Sequence, residues 1–133
     1  MKIGISGLGF VGGSMLQSFQ MKGMILDKNL FGYDKFKNGG IGKFEDLLEC
    51  DVIFAALPTI YNNELGMYDK TPIKETFKLL KENNYQGIIV IKSTVEPETT
   101  NKLTAEFNLK LIHNPEFLTA RTAFEDFHNQ KHI

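Results

Sequence analysis

Two short segments of this chain hold residue types whose spacing could do chemistry. The first is Gly7-Leu8-Gly9-Phe10-Val11-Gly12, a G-x-G-x-x-G run, with Asp34 following about 20 residues further on. In such a run the first glycine permits a sharp turn, the second lets backbone approach a pyrophosphate, and the third lets a helix pack closely on its strand. Backbone N–H groups at the helix start then face the phosphates, helped by the helix dipole. An aspartate at position 34 hydrogen-bonds adenosine ribose hydroxyls and repels a 2′-phosphate, which favours NAD over NADP. The other reading is a tight strand–helix turn with a surface aspartate.

The second segment is Asn114-Pro115-Glu116-Phe117-Leu118, directly after a strand-like run from Leu109 to Ile112. It sets one carboxylate at the carboxyl end of a sheet strand, where open α/β sheets bind their ligands. Pro115 fixes the backbone before Glu116, and Phe117 and Leu118 give it apolar neighbours. A carboxyl group in such company can have its pKa raised into the range useful for proton transfer. Thr94, in Lys92-Ser93-Thr94, also follows a strand-like run and so faces the same edge. A hydroxyl and a carboxylate there can share a water, with the carboxylate as base. The plainer alternatives are that Glu116 caps a final helix and Thr94 opens a loop.

The elements that must position these residues alternate strand and helix, which predicts a parallel sheet with crossover helices. Strands are expected at Lys2–Ser6, Asn29–Tyr33, Val52–Leu57, Ile88–Ile91 and Leu109–Ile112, with a very short one at Ile41–Phe44. Helices are expected from Val11 to Lys22, over one turn at Glu45–Glu49, and from a capping Thr71 with Pro72 at the first helical position to about Asn83-Asn84. Another should begin at a capping Thr99 or Thr100, and a last one at Thr119 with Ala123, Phe124 and Phe127 inward. Asn38-Gly39-Gly40 reads as a turn. The fold class is therefore α/β: a Rossmann-type, doubly wound, mostly parallel sheet with flanking helices, in one domain spanning 1–133.

A chain of 133 residues can bury one real core. Its 15 basic and 16 acidic residues are interspersed, and the net charge of −1 gives no reason to expect nucleic-acid or membrane binding. Cys50 is the only cysteine, which excludes an internal disulfide and a cysteine-rich metal site. It precedes an apolar strand and reads as buried and inert. The setting this implies is reducing and cytoplasmic. No metal is expected, since His128 and His132 have no partners at ligand spacing. His113 reads as a strand-end histidine with one hydrogen bond, and Lys92 either faces the crevice or flanks its strand.

Four segments in order resemble the UDP-glucose and GDP-mannose dehydrogenase family: the glycine loop with Phe10-Val11, Cys50–Phe54 running into Leu57-Pro58-Thr59, Ile91-Lys92-Ser93-Thr94-Val95, and Asn114–Leu118. The resemblance extends from Met1 to about Asp126. It implies oxidation of a nucleotide sugar's terminal alcohol to a carboxylate with NAD. By the resemblance, Gly7, Gly9, Phe10, Val11 and Gly12 would line the pyrophosphate and Asp34 would hold the ribose. Pro58, Thr59 and Ser93 would border the cofactor, and Thr94 would touch the nicotinamide region and position water. Glu116 would border the cofactor and assist hydrolysis of a covalent thioester, and Glu116, Phe117 and Leu118 would contact the sugar nucleotide.

The chain also departs from that pattern. No second cysteine supplies the family's thiol nucleophile, the stretch between Asp34 and Asp51 is short, and a lysine often found after the acid has no clear counterpart. Thr119-Ala120-Arg121 stands where Arg-Glu-Gly is usual, and the chain stops at Ile133, where the family would enter another strand. The expectation is a NAD-binding domain truncated at its C-terminal end, completed by a further domain or by a homo-oligomer. The alternative is a non-catalytic module that binds NAD or a nucleotide sugar.

Overall fold

The structure, a computed structural model, describes residues 1–96 and 98–114. Glu116, Phe117, Leu118 and the helix expected from Thr119 lie outside the described residues. Five parallel strands, β1 (Ile3–Ser6), β2 (Leu30–Tyr33), β3 (Val52–Ala55), β6 (Ile88–Ile91) and β7 (Lys110–His113), form one sheet in the order β2-β1-β3-β6-β7. Between β3 and β6 the chain inserts a two-stranded hairpin, β4 (Tyr61–Asn62) and β5 (Met67–Tyr68). The helices are α1 (Phe10–Met21), α2 (Phe44–Leu47), α3 (Thr71–Glu82) and α4 (Thr99–Phe107).

The inner strands β1, β3 and β6 are buried on both faces over most of their length, as their nearly unbroken apolar runs require, while the edge strand β7 is partly exposed. On one face α1 sets Met15 and Phe19 against Ile5, Phe54 and Val90. On the other, Leu47 of α2, Ile73, Phe77 and Leu80 of α3 and Leu103 of α4 pack on Ile53, Ala55, Ile89 and Ile91. The alternation in β3 and β6 thus feeds two cores from two adjacent strands. Cys50 is buried in the second core, and burial pushes its thiol up to about 11. It is inert packing, as its place before β3 suggests.

The chain leaves β1 toward β2 on one side and returns to β3 on the other. That reversal puts the ligand crevice of an open α/β sheet at the carboxyl ends of β1 and β3.

Three expectations need correction. Ile41–Phe44 is not a strand: Ile41 makes a single antiparallel bridge to Asp34, and Phe44 already begins α2. Gly39, Gly40 and Gly42 have φ of 77°, 116° and 70°, which breaks any extended run through this stretch. Thr71 does not cap α3 but is its first residue, and Asp69 accepts the Thr71 N–H at 3.0 Å and its hydroxyl at 2.6 Å. Neither Thr99 nor Thr100 caps α4, which begins at Thr99 with its N–H on the Glu96 carbonyl. The hairpin was not expected at all. Two-residue strands carry no periodicity, and the readable signals are the turn residues Asn62, which accepts the Glu64 and Leu65 N–H groups, and Gly66 at φ 66°.

Candidate cofactor crevice

The glycine loop joins the end of β1 to α1, and its three glycines have three different causes. Gly7 sits at φ 94°, and a Cβ there would overlap the Ala56 carbonyl, so loop and β3 end approach backbone to backbone. Gly12, inside α1, lies so close under the loop that a Cβ would overlap the Gly7 carbonyl. Helix and strand therefore cannot pack without it. Gly9 differs: its φ is −75°, and a Cβ built on it meets nothing within 4 Å. Tertiary packing does not ask for glycine at this exposed position, whereas a ligand approaching the backbone would.

Directly after Gly9, α1 begins with no side-chain cap and no acidic residue in its first turn. Its first N–H groups carry the positive end of the helix dipole with no side-chain anion set against them. These features fit a pyrophosphate.

Asp34 is built into the same loop. Its Oδ2 accepts the Leu8 N–H at 2.8 Å, and its Oδ1 accepts the N–H groups of Phe36 and Lys37, both at 2.9 Å. Burial opposes its ionisation, but these backbone donors and the nearby Lys37 charge outweigh that and hold the carboxyl below its ordinary value. A carboxylate has about four lone-pair positions. Three donors leave an acceptor for a ribose hydroxyl.

Across the crevice, two loops beyond β3 and β6 are tied by hydroxyls. The Ser93 hydroxyl donates to the Leu57 carbonyl at 2.6 Å, and the Thr59 hydroxyl donates to the Thr94 carbonyl at 2.6 Å. Ser93 is thus buried and turned onto backbone, while Thr94 and Pro58 stay exposed. Lys92 is 2 % exposed and flanks the strand end. His113 sets Nε2 3.3 Å from the Ser93 carbonyl, the single contact expected of a strand-end histidine. The Asn114 N–H donates to the Ile91 carbonyl at 3.0 Å, so the chain reaches Asn114 at the edge where Ser93 and Thr94 emerge.

The family model described as UDP-glucose/GDP-mannose dehydrogenase family, NAD binding domain, matches residues 35–133. The chain belongs to this family. Among curated relatives, the UDP-glucose 6-dehydrogenase of Campylobacter jejuni is 31% identical over 83 residues, 62% of this chain and 21% of that protein. The UDP-glucose 6-dehydrogenase of Rickettsia prowazekii is 35% identical over 99 residues, 70% of this chain and 22% of that one. The chain thus spans about a fifth of the length of these relatives. In shape, the GDP-mannose dehydrogenase of Pseudomonas aeruginosa, solved as a ternary complex, superposes over 96% of this chain and 38% of its own. The TM-score is 0.77 at 21% identity, a likeness of fold.

NAD is the cofactor of this dehydrogenase-family domain. The family match starts one residue past Asp34, so the glycine loop stands on its geometry. Two residues of the site escaped the sequence reading. Lys37 donates from Nζ to the Leu8 carbonyl at 2.6 Å, so a lysine does follow the acid and touches the glycine loop. Only a fold-back of the Asp34–Gly40 turn brings it there, and spacing alone does not reveal that. Glu96 is the other, and it ties the Thr94 loop to the hairpin.

Proposed function

We propose that this chain binds NAD across the carboxyl ends of β1 and β3, as the cofactor domain of a UDP-glucose 6-dehydrogenase-like enzyme. Gly9 carries the reading: it is a glycine that neither φ nor any neighbour requires, at the open start of α1. Gly7, Gly9, Phe10, Val11 and Gly12 then line the pyrophosphate, and Asp34 takes the ribose hydroxyl. Pro58, Thr59, Ser93 and Thr94 border the nicotinamide side. Bound NAD supplies a hydride acceptor. The chain's own part is to orient it, through backbone donors, and to hold a carboxylate where a 2′-phosphate would otherwise fit. Thr94 and Glu116 take the catalytic roles, sharing a water with Glu116 as base, and Phe117 and Leu118 meet the nucleotide sugar. The domain runs over 1–133.

Calorimetric titration of the chain with NAD and NADP tests this reading. NAD binding with NADP at least about tenfold weaker is expected, since a second anion would face the Asp34 carboxylate. Equal affinities, or a preference for NADP, would contradict it.

A second reading, a binding module without turnover, draws on Cys50. The one thiol of the chain is buried and its pKa is raised to about 11, so it does not serve as a nucleophile. Turnover of UDP-glucose with NAD by this chain, and by a longer form if the gene continues, separates the two. Activity in the longer form alone supports the enzyme reading, and activity in neither supports the module.

A further inference from the structure

The loop after β6 exposes Thr94 between two buried neighbours, Ser93 and the core residue Val95. Two further ties reach it from the hairpin segment. At the start of the hairpin stem, the Thr59 hydroxyl holds the Thr94 carbonyl, and the stem closes next door with Asp69 N–H on the Ile60 carbonyl at 2.7 Å. At the end of the stem, Glu96 takes the Tyr68 N–H on Oε1 at 2.9 Å and pairs through Oε2 with Lys70 Nζ at 3.0 Å. Lys70 also donates to the Tyr68 carbonyl at 3.2 Å, and the Thr99 hydroxyl reaches Glu96 Oε2 at 3.4 Å. One carboxylate therefore joins the hairpin, the Thr94 loop and the first residue of α4.

We propose that Glu96 is a positioning residue: by tying the Thr94 loop to the hairpin it fixes the nicotinamide side of the cofactor crevice. The inference rests on the reading above, in which NAD lies with its nicotinamide toward Thr94. Glu96 touches neither cofactor nor substrate in this account. Without it, the loop beyond the buried Val95 loses its tie to the hairpin, and the exposed Thr94 keeps the Thr59 bond and its anchored neighbours Ser93 and Val95. The adenosine side, built from the glycine loop and Asp34, shares no contact with Glu96 and should not respond. Partial burial opposes ionisation of Glu96, but the Tyr68 N–H, its own N–H and Lys70 prevail and bring it down to about 2. The tie is thus charged at neutral pH.

The test compares ADP, which fills only the adenosine side, with NADH, whose reduced ring reports its own surroundings by fluorescence. Native chain, Glu96→Ala and Glu96→Gln are titrated with both, and their unfolding midpoints are measured. Expected for Glu96→Ala are ADP affinity within about twofold of native, NADH affinity about tenfold weaker, and ring emission close to that of free NADH. Glu96→Gln, which can still accept the Tyr68 N–H, should fall between. Equal weakening of ADP and NADH, or no change in either, would overturn the positioning role. A native chain that binds neither ADP nor NADH would overturn the cofactor reading itself, and the inference with it.

Discussion

The two sides of the crevice are held by different means. On the side proposed for adenosine, the glycine loop is locked by backbone sterics at Gly7 and Gly12 and by the Asp34 carboxylate, whose donors come from Leu8 and from the turn directly after Asp34. On the side proposed for nicotinamide, the Pro58-Thr59 and Ser93-Thr94 loops are held, beside the buried Val95, by side-chain hydrogen bonds and one ion pair between residues distant in sequence. The first side is rigid because its alternatives clash. The second relies, beyond its buried Val95, on a few polar ties. Substitutions on the first side should therefore act on folding and binding together, and those on the second mainly on geometry.

The largest expected effect is at Gly12. Gly12→Ala forces a methyl into the Gly7 carbonyl, and chemical denaturation should find the chain destabilised by about 3 kcal/mol or unfolded outright. A fully stable variant would break the claim that sterics lock this side. Next is Asp34→Ala, which leaves the N–H groups of Leu8, Phe36 and Lys37 without their acceptor. A loss of about 1–3 kcal/mol is expected, with weaker NAD binding and a smaller preference over NADP. Loss of binding without loss of stability would mean the carboxylate is not part of the loop's scaffold.

On the other side, Thr59→Val removes one hydrogen bond to the Thr94 carbonyl and should cost about 1 kcal/mol, with ADP affinity unchanged. The smallest effect is a pH dependence. The Glu96 carboxyl has an ordinary value of 4.5 and lies near 2 in the fold, so the folded state holds fewer protons than the unfolded one between these values. Its stabilisation is fully present above 4.5 and is lost as pH falls toward 2. Glu96→Gln should flatten that part of the acid-unfolding curve, by little, because the group is partly solvent-screened. An unchanged curve would assign the acid sensitivity to Asp34 and the other carboxylates.

The same contrast explains what could be read from the sequence. Gly7 to Gly12 and Asp34 were legible because a turn, a helix start and a strand end are local events with fixed residue demands. Buried apolar runs at β3 and β6 announced a parallel sheet for a similar reason. The hairpin and the Glu96 tie were not legible, since nothing near Glu96 in the chain distinguishes it from a solvated acid. Its partners Tyr68 and Lys70 arrive only through the fold of the segment between β3 and α3. The strand expected at Ile41 failed on the opposite ground: its apolar residue is real, but three positive-φ glycines around it leave room for one bridge.

Gly9 gives the most direct test of the central claim, that this loop is shaped for a cofactor. NAD titrated into the native chain and into Gly9→Ala, with both unfolding midpoints measured, separates ligand demand from folding demand. The account predicts midpoints that agree closely, because the added Cβ meets nothing, and NAD affinity at least about tenfold lower in the variant. NAD binding equally well to both would contradict it.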